Sequence, residues 1–404
     1  MPKLLQISIE VNSGSVGRIA EQIGQKAIDS GWESYITYAR NNQPSKSNVI
    51  KIGNKLDVYW HGVMTRITDK HGFYSTLPTK KLIKQINKIQ PDIILLHHLH
   101  GYFINIKLLF NYLYKIETHI VWVFHDCWSF TGHCAHFEEI GCEKWKIECN
   151  ACPLKKYYPA SYVFDRSKEN YKEKKKLFNS LKNLTIVPVS KWLGDLVKES
   201  FLSSNNIKVI YNGIDINTFK PNLNIKETRE KFGLKDEFIV IGVSGVWNKG
   251  KGLDDFIKLS YNIESSVKII LVGLNDYQIK KLPNKIIGIK RTDSFIQLAE
   301  LYSMSDLFIN PTYGDTFPTT NLEALACGTP VLTYRTGGSI EAVSDETGFI
   351  VEKGDLDSVI KIISEVKERG KEFYIDRCRE RAVACFNKDD RFKEYIELFN
   401  NLIN

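Results

Sequence analysis

Short runs of β-branched and other apolar residues, separated by longer amphipathic stretches, recur along nearly the whole chain. Leu4–Ile9, Asp92–Leu96, Ile120–Phe124, Thr185–Val189, Lys208–Tyr211, Phe238–Val243, Lys268–Val272, Leu307–Ile309 and Val331–Tyr334 each read as a strand. Runs that are apolar on both faces fit a parallel sheet covered by helices on each side. Arg18–Ser30 reads as a helix stopped at Gly31, and a second helix is expected from about Lys191 to Ser200. Alternation of this kind predicts doubly wound α/β domains. The pattern restarts near residue 205, and 404 residues suit two domains of about 200 each. The expected boundaries are 1–200 and 201–385, with 386–404 as a closing segment.

Composition narrows the function classes. Hydrophobic residues at 43% and charged residues at 25% exclude a disordered chain. A net charge of +8 is too small to argue for a nucleic-acid binder. No apolar run approaches the roughly 18 residues that span a bilayer, and Met1–Glu10 lacks the apolar region of a signal peptide. The expected compartment is the cytoplasm, where thiols stay reduced. Residues 143–182 break the alternation: eleven Lys/Arg stand against five acids, interleaved with Trp145, Tyr157, Tyr158, Tyr162, Phe164 and Tyr171. This segment is either a solvated helix face or a surface that docks on anionic lipid headgroups.

Several motifs point to phosphate chemistry. The first strand runs into Asn12-Ser13-Gly14-Ser15-Val16-Gly17-Arg18, a glycine turn opening a helix whose N-terminus favours anions. Gly245-Val246-Trp247-Asn248-Lys249-Gly250-Lys251-Gly252 follows the strand ending at Val243. It matches Gly-x4-Gly-Lys, but Gly252 stands where a P-loop needs Ser or Thr for magnesium. What remains is Lys251 in a glycine-rich turn, suited to a phosphate or simply solvated. In Asn310–Val331, Asp315 lies on a loop after a strand and Glu323 follows in the first turn of the next helix. Amides of Asn321, Leu322 and Glu323 would face a diphosphate there. Alternatively, Thr320-Asn321-Leu322-Glu323 is a capping box with Glu323 at its third position.

Asp315-x7-Glu323 followed by Ala324-Leu325-Ala326-Cys327-Gly328-Thr329-Pro330-Val331 resembles the retaining, nucleotide-sugar-dependent glycosyltransferases of family four, also termed group 1. Val189–Trp192, Val209–Asp215 with Phe219 and Pro221, and Gly337-Gly338-Ser339-Ile340-Glu341 resemble further stretches of that family. His125-Asp126-Cys127-Trp128-Ser129-Phe130-Thr131-Gly132 resembles a subgroup in bacterial surface-polysaccharide synthesis. Two positions depart from the family pattern: Asp315 stands where Glu is usual, and Val246 where Arg is usual.

The resemblance implies a GT-B fold, two Rossmann-like domains facing across a cleft. The N-terminal domain would bind the acceptor and the C-terminal domain the nucleotide sugar. A helix near Arg391–Leu402 would cross back to the first domain. The implied activity is transfer of a sugar, with retention, from a UDP- or GDP-sugar to a saccharide, lipid-linked at the inner membrane face. The alternative is a nucleotide-sugar-binding protein or epimerase of the same fold. Catalytic roles fall to His125, Asp315 and Lys251, and donor contacts to Gly14, Ser15, Gly245, Lys251, Thr320, Asn321, Leu322 and Glu323. His125 also reads as a core histidine. No metal or other cofactor is expected to be required for catalysis, and no nucleic-acid partner is expected. Cys134, Cys142, Cys149 and Cys152 form C-x7-C-x6-C-x2-C, a set able to close a structural zinc site; free thiols or a disulfide are the alternatives. His97-His98-Leu99-His100 has a metal-like look, but directly after a strand it reads as lining a cleft or satisfying the strand end.

Overall fold

The computed structural model describes residues 1–222 and 225–404. It forms two compact units, Met1–Tyr211 with Arg391–Asn404, and Asn212–Asp390. The first contains strands β1 (Lys3–Ile7), β2 (Glu33–Tyr38), β3 (Asn48–Lys51), β4 (Ile93–Leu96), β5 (His119–Phe124), β6 (Leu184–Pro188) and β7 (Asn206–Ile207). They pair in parallel in the order β3-β2-β1-β4-β5-β6-β7. The second contains β8 (Phe238–Val243), β9 (Val267–Val272), β10 (Ile286–Ile289), β11 (Leu307–Asn310), β12 (Val331–Tyr334) and β13 (Gly348–Val351), in the parallel order β10-β9-β8-β11-β12-β13. Both are Rossmann-like α/β units.

Several central strands are fully buried. Ile93–Leu96 is entirely buried, as are Leu307–Asn310 and Val331–Tyr334. The strands that the sequence pattern does not announce, β2, β3, β10 and β13, carry partly exposed residues. Residues 206–207 pair with β6 in the first sheet, so that unit runs on to Tyr211, past the expected boundary at 200. The run Lys208–Tyr211 forms no named strand, although Lys208 and Ile210 donate to the carbonyls of Ile186 and Pro188. The last helix, Lys388–Ile403, begins in the second unit. Its Phe399 packs in the first unit with ring centroid 5.8 Å from that of Trp32.

The strand orders fix where ligands can bind. In an open parallel sheet the crevice lies beyond the carboxyl ends at the point where the order reverses. In the first unit that point is between β1 and β4, and in the second between β8 and β11. The loops that follow these four strands border the two crevices.

Candidate active site

In the second unit the loops after β8 and β11 are tied together. Asn248 caps a 3-10 turn (Lys249–Lys251) by accepting from the Lys251 N–H. Gly252 takes φ +73°, and a Cβ there would lie 2.3 Å from the Pro311 carbonyl oxygen, so only glycine lets the loops approach this closely. The Tyr313 N–H donates to the Gly250 carbonyl. Gly337 presses on the same place from the loop after β12: a Cβ would meet the Asp315 carbonyl oxygen at 1.9 Å.

This closure brings Lys251 and Asp315 together across 64 positions of sequence, Nζ to Oδ2 2.7 Å, both part-exposed. Thr312 Oγ1 lies 3.5 Å from the same ammonium. Gly245 borders open space and Val246 is exposed. The helix after Asp315 spans Thr319–Ala326 with Pro318 as its N-cap. Glu323 therefore falls in the second turn, and the capping-box reading does not hold. Its Oε2 instead accepts from the Tyr302 hydroxyl at 3.0 Å. Burial, then the Glu323 charge, pushes the Tyr302 phenol well up, so the phenol stays a donor.

Asn321 also differs from its expected role. Its N–H donates to the Pro318 carbonyl. Its side chain is buried, accepting from Asn310 and donating to Ser339. Leu322 is fully buried. The accessible residues of the first turn are Thr319 and Thr320. Asp255, which no motif marks, accepts from the hydroxyls of both Tyr313 and Tyr334, pinning the loop from below.

In the first unit, β1 runs through Asn12, at φ +48°, into Gly14, at φ +61°, and the helix Gly14–Asp29. Gly14 and Ser15 thus sit at that sheet's switch point, on a different unit from the other donor-contact candidates. His125 follows β5 and is buried. It stacks on His97, with His125 Nε2 3.2 Å from His97 Nδ1. His97 Nε2 is 2.9 Å from Gln6 Oε1, while Gln6 Nε2 donates to the Ala20 carbonyl. This fixes the protons. Gln6 offers its oxygen, so His97 carries its hydrogen on Nε2. His97 Nδ1 then accepts, so His125 carries its hydrogen on Nε2 and keeps Nδ1 as an acceptor. Burial, together with the neighbouring histidines, holds His125 well below the usual imidazole range. Burial lowers His97 to about 3. Both rings are neutral at neutral pH. Gln6 and His97 are supporting residues that no sequence motif flags.

Beside them, His100 Nε2 donates to Asp126 Oδ2 at 2.6 Å and accepts the Tyr158 hydroxyl on Nδ1. His98 Nε2 lies 3.2 Å from the same carboxylate oxygen. Burial acts to raise Asp126, but the two histidines outweigh it and hold the carboxylate well below its usual range. Among the described residues, His98, His100 and Asp126 form the one group of three ligating side chains, with ligand atoms within 4.8 Å of one another. The 2.6 Å spacing is that of a hydrogen bond from His100, whereas His98 Nε2 is within ion-pair distance without forming one. No helix of the described residues is long and apolar enough to cross a membrane.

These features coincide with known proteins. Residues 16–218 match the model of Glycosyltransferase Family 4, and residues 224–382 that of Glycosyl transferases group 1. The putative colanic acid biosynthesis glycosyl transferase WcaC of Escherichia coli K12 is 23% identical over 99% of this chain and 100% of its own length. An E. coli UDP-Gal:alpha-D-GlcNAc-diphosphoundecaprenol alpha-1,3-galactosyltransferase is 27% identical over 51% of this chain and 57% of its own. The structure of Anabaena HepE in complex with UDP superposes with a TM-score of 0.69 at 17% identity, covering 99% of this chain and 100% of that one. Two Rossmann-like units, a lysine–carboxylate pair at the second switch point and two family models that together cover most of the chain lead to one conclusion: the chain belongs to the group 1, family 4 glycosyltransferases of GT-B fold.

Proposed function

We propose that this glycosyltransferase moves a sugar from a UDP- or GDP-sugar to a lipid-linked saccharide, with retention, in surface-polysaccharide biosynthesis. The observation that carries the reading is the Lys251–Asp315 pair at the second unit's switch point, beside the opening turn of the helix Thr319–Ala326. The relatives' names support the substrate classes: HepE is described with UDP, WcaC with colanic acid, and the E. coli galactosyltransferase with a diphosphoundecaprenol acceptor.

Charge builds on the leaving diphosphate as the glycosidic bond breaks, and fixed donors aimed there lower the barrier most. Lys251 supplies a cation, and the N–H groups of Thr319 and Thr320 supply the positive end of a helix. Asp315 keeps the Lys251 ammonium in place before the donor arrives and then orients the transferred sugar. Glu323, aligned by Tyr302, accepts from the ribose hydroxyls. Asn321 and Leu322 act by holding the turn rather than by touching phosphate, and Gly245 leaves room for it. In the first unit, Gly14 and Ser15 form a glycine turn suited to an anionic group, and His125 is the residue assigned to the reacting sugar. In a retaining transfer of this kind the leaving phosphate takes the acceptor's proton, so no protein base is required.

The test is transfer of label from UDP- and GDP-sugars to a polyprenyl-diphosphate saccharide. Product with the donor's anomeric configuration supports the reading. Donor binding or hydrolysis without any transferred sugar would favour a binding protein or an epimerase.

A further inference from the structure

Between the turn Trp128–Phe130 and the helix Ser167–Phe178, the chain contains no strand and a single short 3-10 turn, Lys144–Lys146. A connection this long without regular structure is unusual inside a compact unit. It is nevertheless packed: Cys134, Phe137, Trp145 and Leu154 are all buried. Something other than a hydrogen-bond ladder must hold it.

Cys134, Cys142, Cys149 and Cys152 line one cavity of about 10 Å³ within this segment, room for roughly one small atom. All four are reduced. Cys134 is buried, and Cys142, Cys149 and Cys152 are half-buried around the same cavity. Asp165 fixes the Cys152 N–H and the helix start at Ser167, and Asp69 ties His133 and the Arg166 N–H to the same wall.

An independent observation concerns charge. Lys174 is buried, its Nζ 3.5 Å from the centre of the Trp128 ring and donating to the carbonyls of Trp128 and Thr131. Among the described residues, no carboxylate stands within ion-pair distance of it. Burial lowers Lys174 to about 7, and anionic sulfur at Cys149 and Cys134 would act most strongly against that. A buried ammonium needs a counter-charge. Neutral thiols or a disulfide offer none, whereas four thiolates around a divalent ion carry a net negative charge.

We propose that Cys134, Cys142, Cys149 and Cys152 bind one structural zinc ion, with Lys174 offsetting the charge of the cluster. Zinc takes four thiolates in a closed tetrahedron at about 2.3 Å. No three of the sulfurs lie within 4.8 Å of one another before binding, so the ion draws them in. Four protons leave as the four Zn–S bonds form, and no electron is transferred. The site belongs to the first unit, whereas Lys251 and Asp315 belong to the second, and it holds the segment rather than the reacting groups.

The experiment is metal analysis of the full chain purified under reducing conditions, followed by exchange with cobalt. Close to one zinc per chain is expected, together with the thiolate-to-cobalt charge-transfer absorption and the d–d bands of a tetrahedral site. Cys149→Ser should reduce metal content several-fold. Because that variant can also misfold, the wild-type cobalt spectrum is read independently of it. Reduced chain that carries no zinc and takes up neither zinc nor cobalt overturns the proposal. So does a Cys134–Cys152 disulfide in protein isolated with its thiols blocked at lysis.

Discussion

Glu323 and Tyr302 show how much a single residue's role depends on distant chain. Read locally, Glu323 closes a capping box three residues after Thr320. In the structure Pro318 starts the helix earlier, and the carboxylate is held by a tyrosine from the preceding helix, Phe295–Met304. No local pattern encodes that bond, just as none encodes Lys251 against Asp315 or Gln6 against His97. The residue types were legible because they match the motif of the family that the chain resembles. Their partners were not, because those partners are fixed by strand order. Tyr302→Phe removes a hydrogen bond to a buried carboxylate and should cost about 1.5–3 kcal/mol of stability. If Glu323 contacts the ribose, the same change should weaken nucleotide diphosphate binding about three- to tenfold. Calorimetry alongside a melting curve checks both. A lower melting temperature with unchanged affinity would make the bond structural only.

At the scale of elements, central strands were legible and edges were not. Fully buried runs such as Ile93–Leu96 announce themselves, whereas β3, with no buried residue, carries no comparable signal. The basic aromatic segment shows the same limit. Of the aromatics in 143–182, Trp145, Tyr171 and Phe178 are core residues, and Lys174 is buried with them. Tyr157, Tyr158, Tyr162 and Phe164 are exposed. The N–H groups of Tyr162 and Phe164 donate to Arg66 and Ile67, at the end of the helix Lys55–Thr68. That helix exposes Leu56, Tyr59, Trp60 and Ile67, positions that share one helical face. We propose that this combined surface is what meets an anionic membrane at its inner face, with flanking lysines supplying the attraction. Vesicles containing anionic lipid should retain the protein at low salt and release it as salt rises. Tyr59→Ser with Trp60→Ser should reduce retention several-fold. Equal retention on neutral vesicles would remove the electrostatic part of the proposal.

Across the whole molecule, buried neutral histidines make stability depend on pH. Burial lowers His61 and His97 to about 3 each, against an ordinary value of 6.5. Their contribution is complete above pH 6.5, where both folded and unfolded chains are neutral. It is lost as pH falls from 6.5 towards 3, because only the unfolded chain takes up the proton. At pH 5 each should cost about 2 kcal/mol. Melting temperature should therefore drop several degrees between pH 7 and pH 5, and His97→Gln should flatten part of that slope. A melting temperature independent of pH over that range would contradict the neutral-histidine assignment. Fold class was the most legible feature at this scale, since two successive parallel sheets follow from the alternation alone. The central claim is narrower: the donor's phosphates meet Lys251. It is tested most directly by titrating UDP and GDP into wild type and Lys251→Ala by calorimetry. One of the two nucleotides should bind wild type, and the variant should bind it about ten- to a hundredfold more weakly, the scale of a hydrogen bond to a charged group. Its melting temperature should stay nearly unchanged, since a part-exposed ion pair adds little. Equal affinity in wild type and a folded Lys251→Ala would contradict the account.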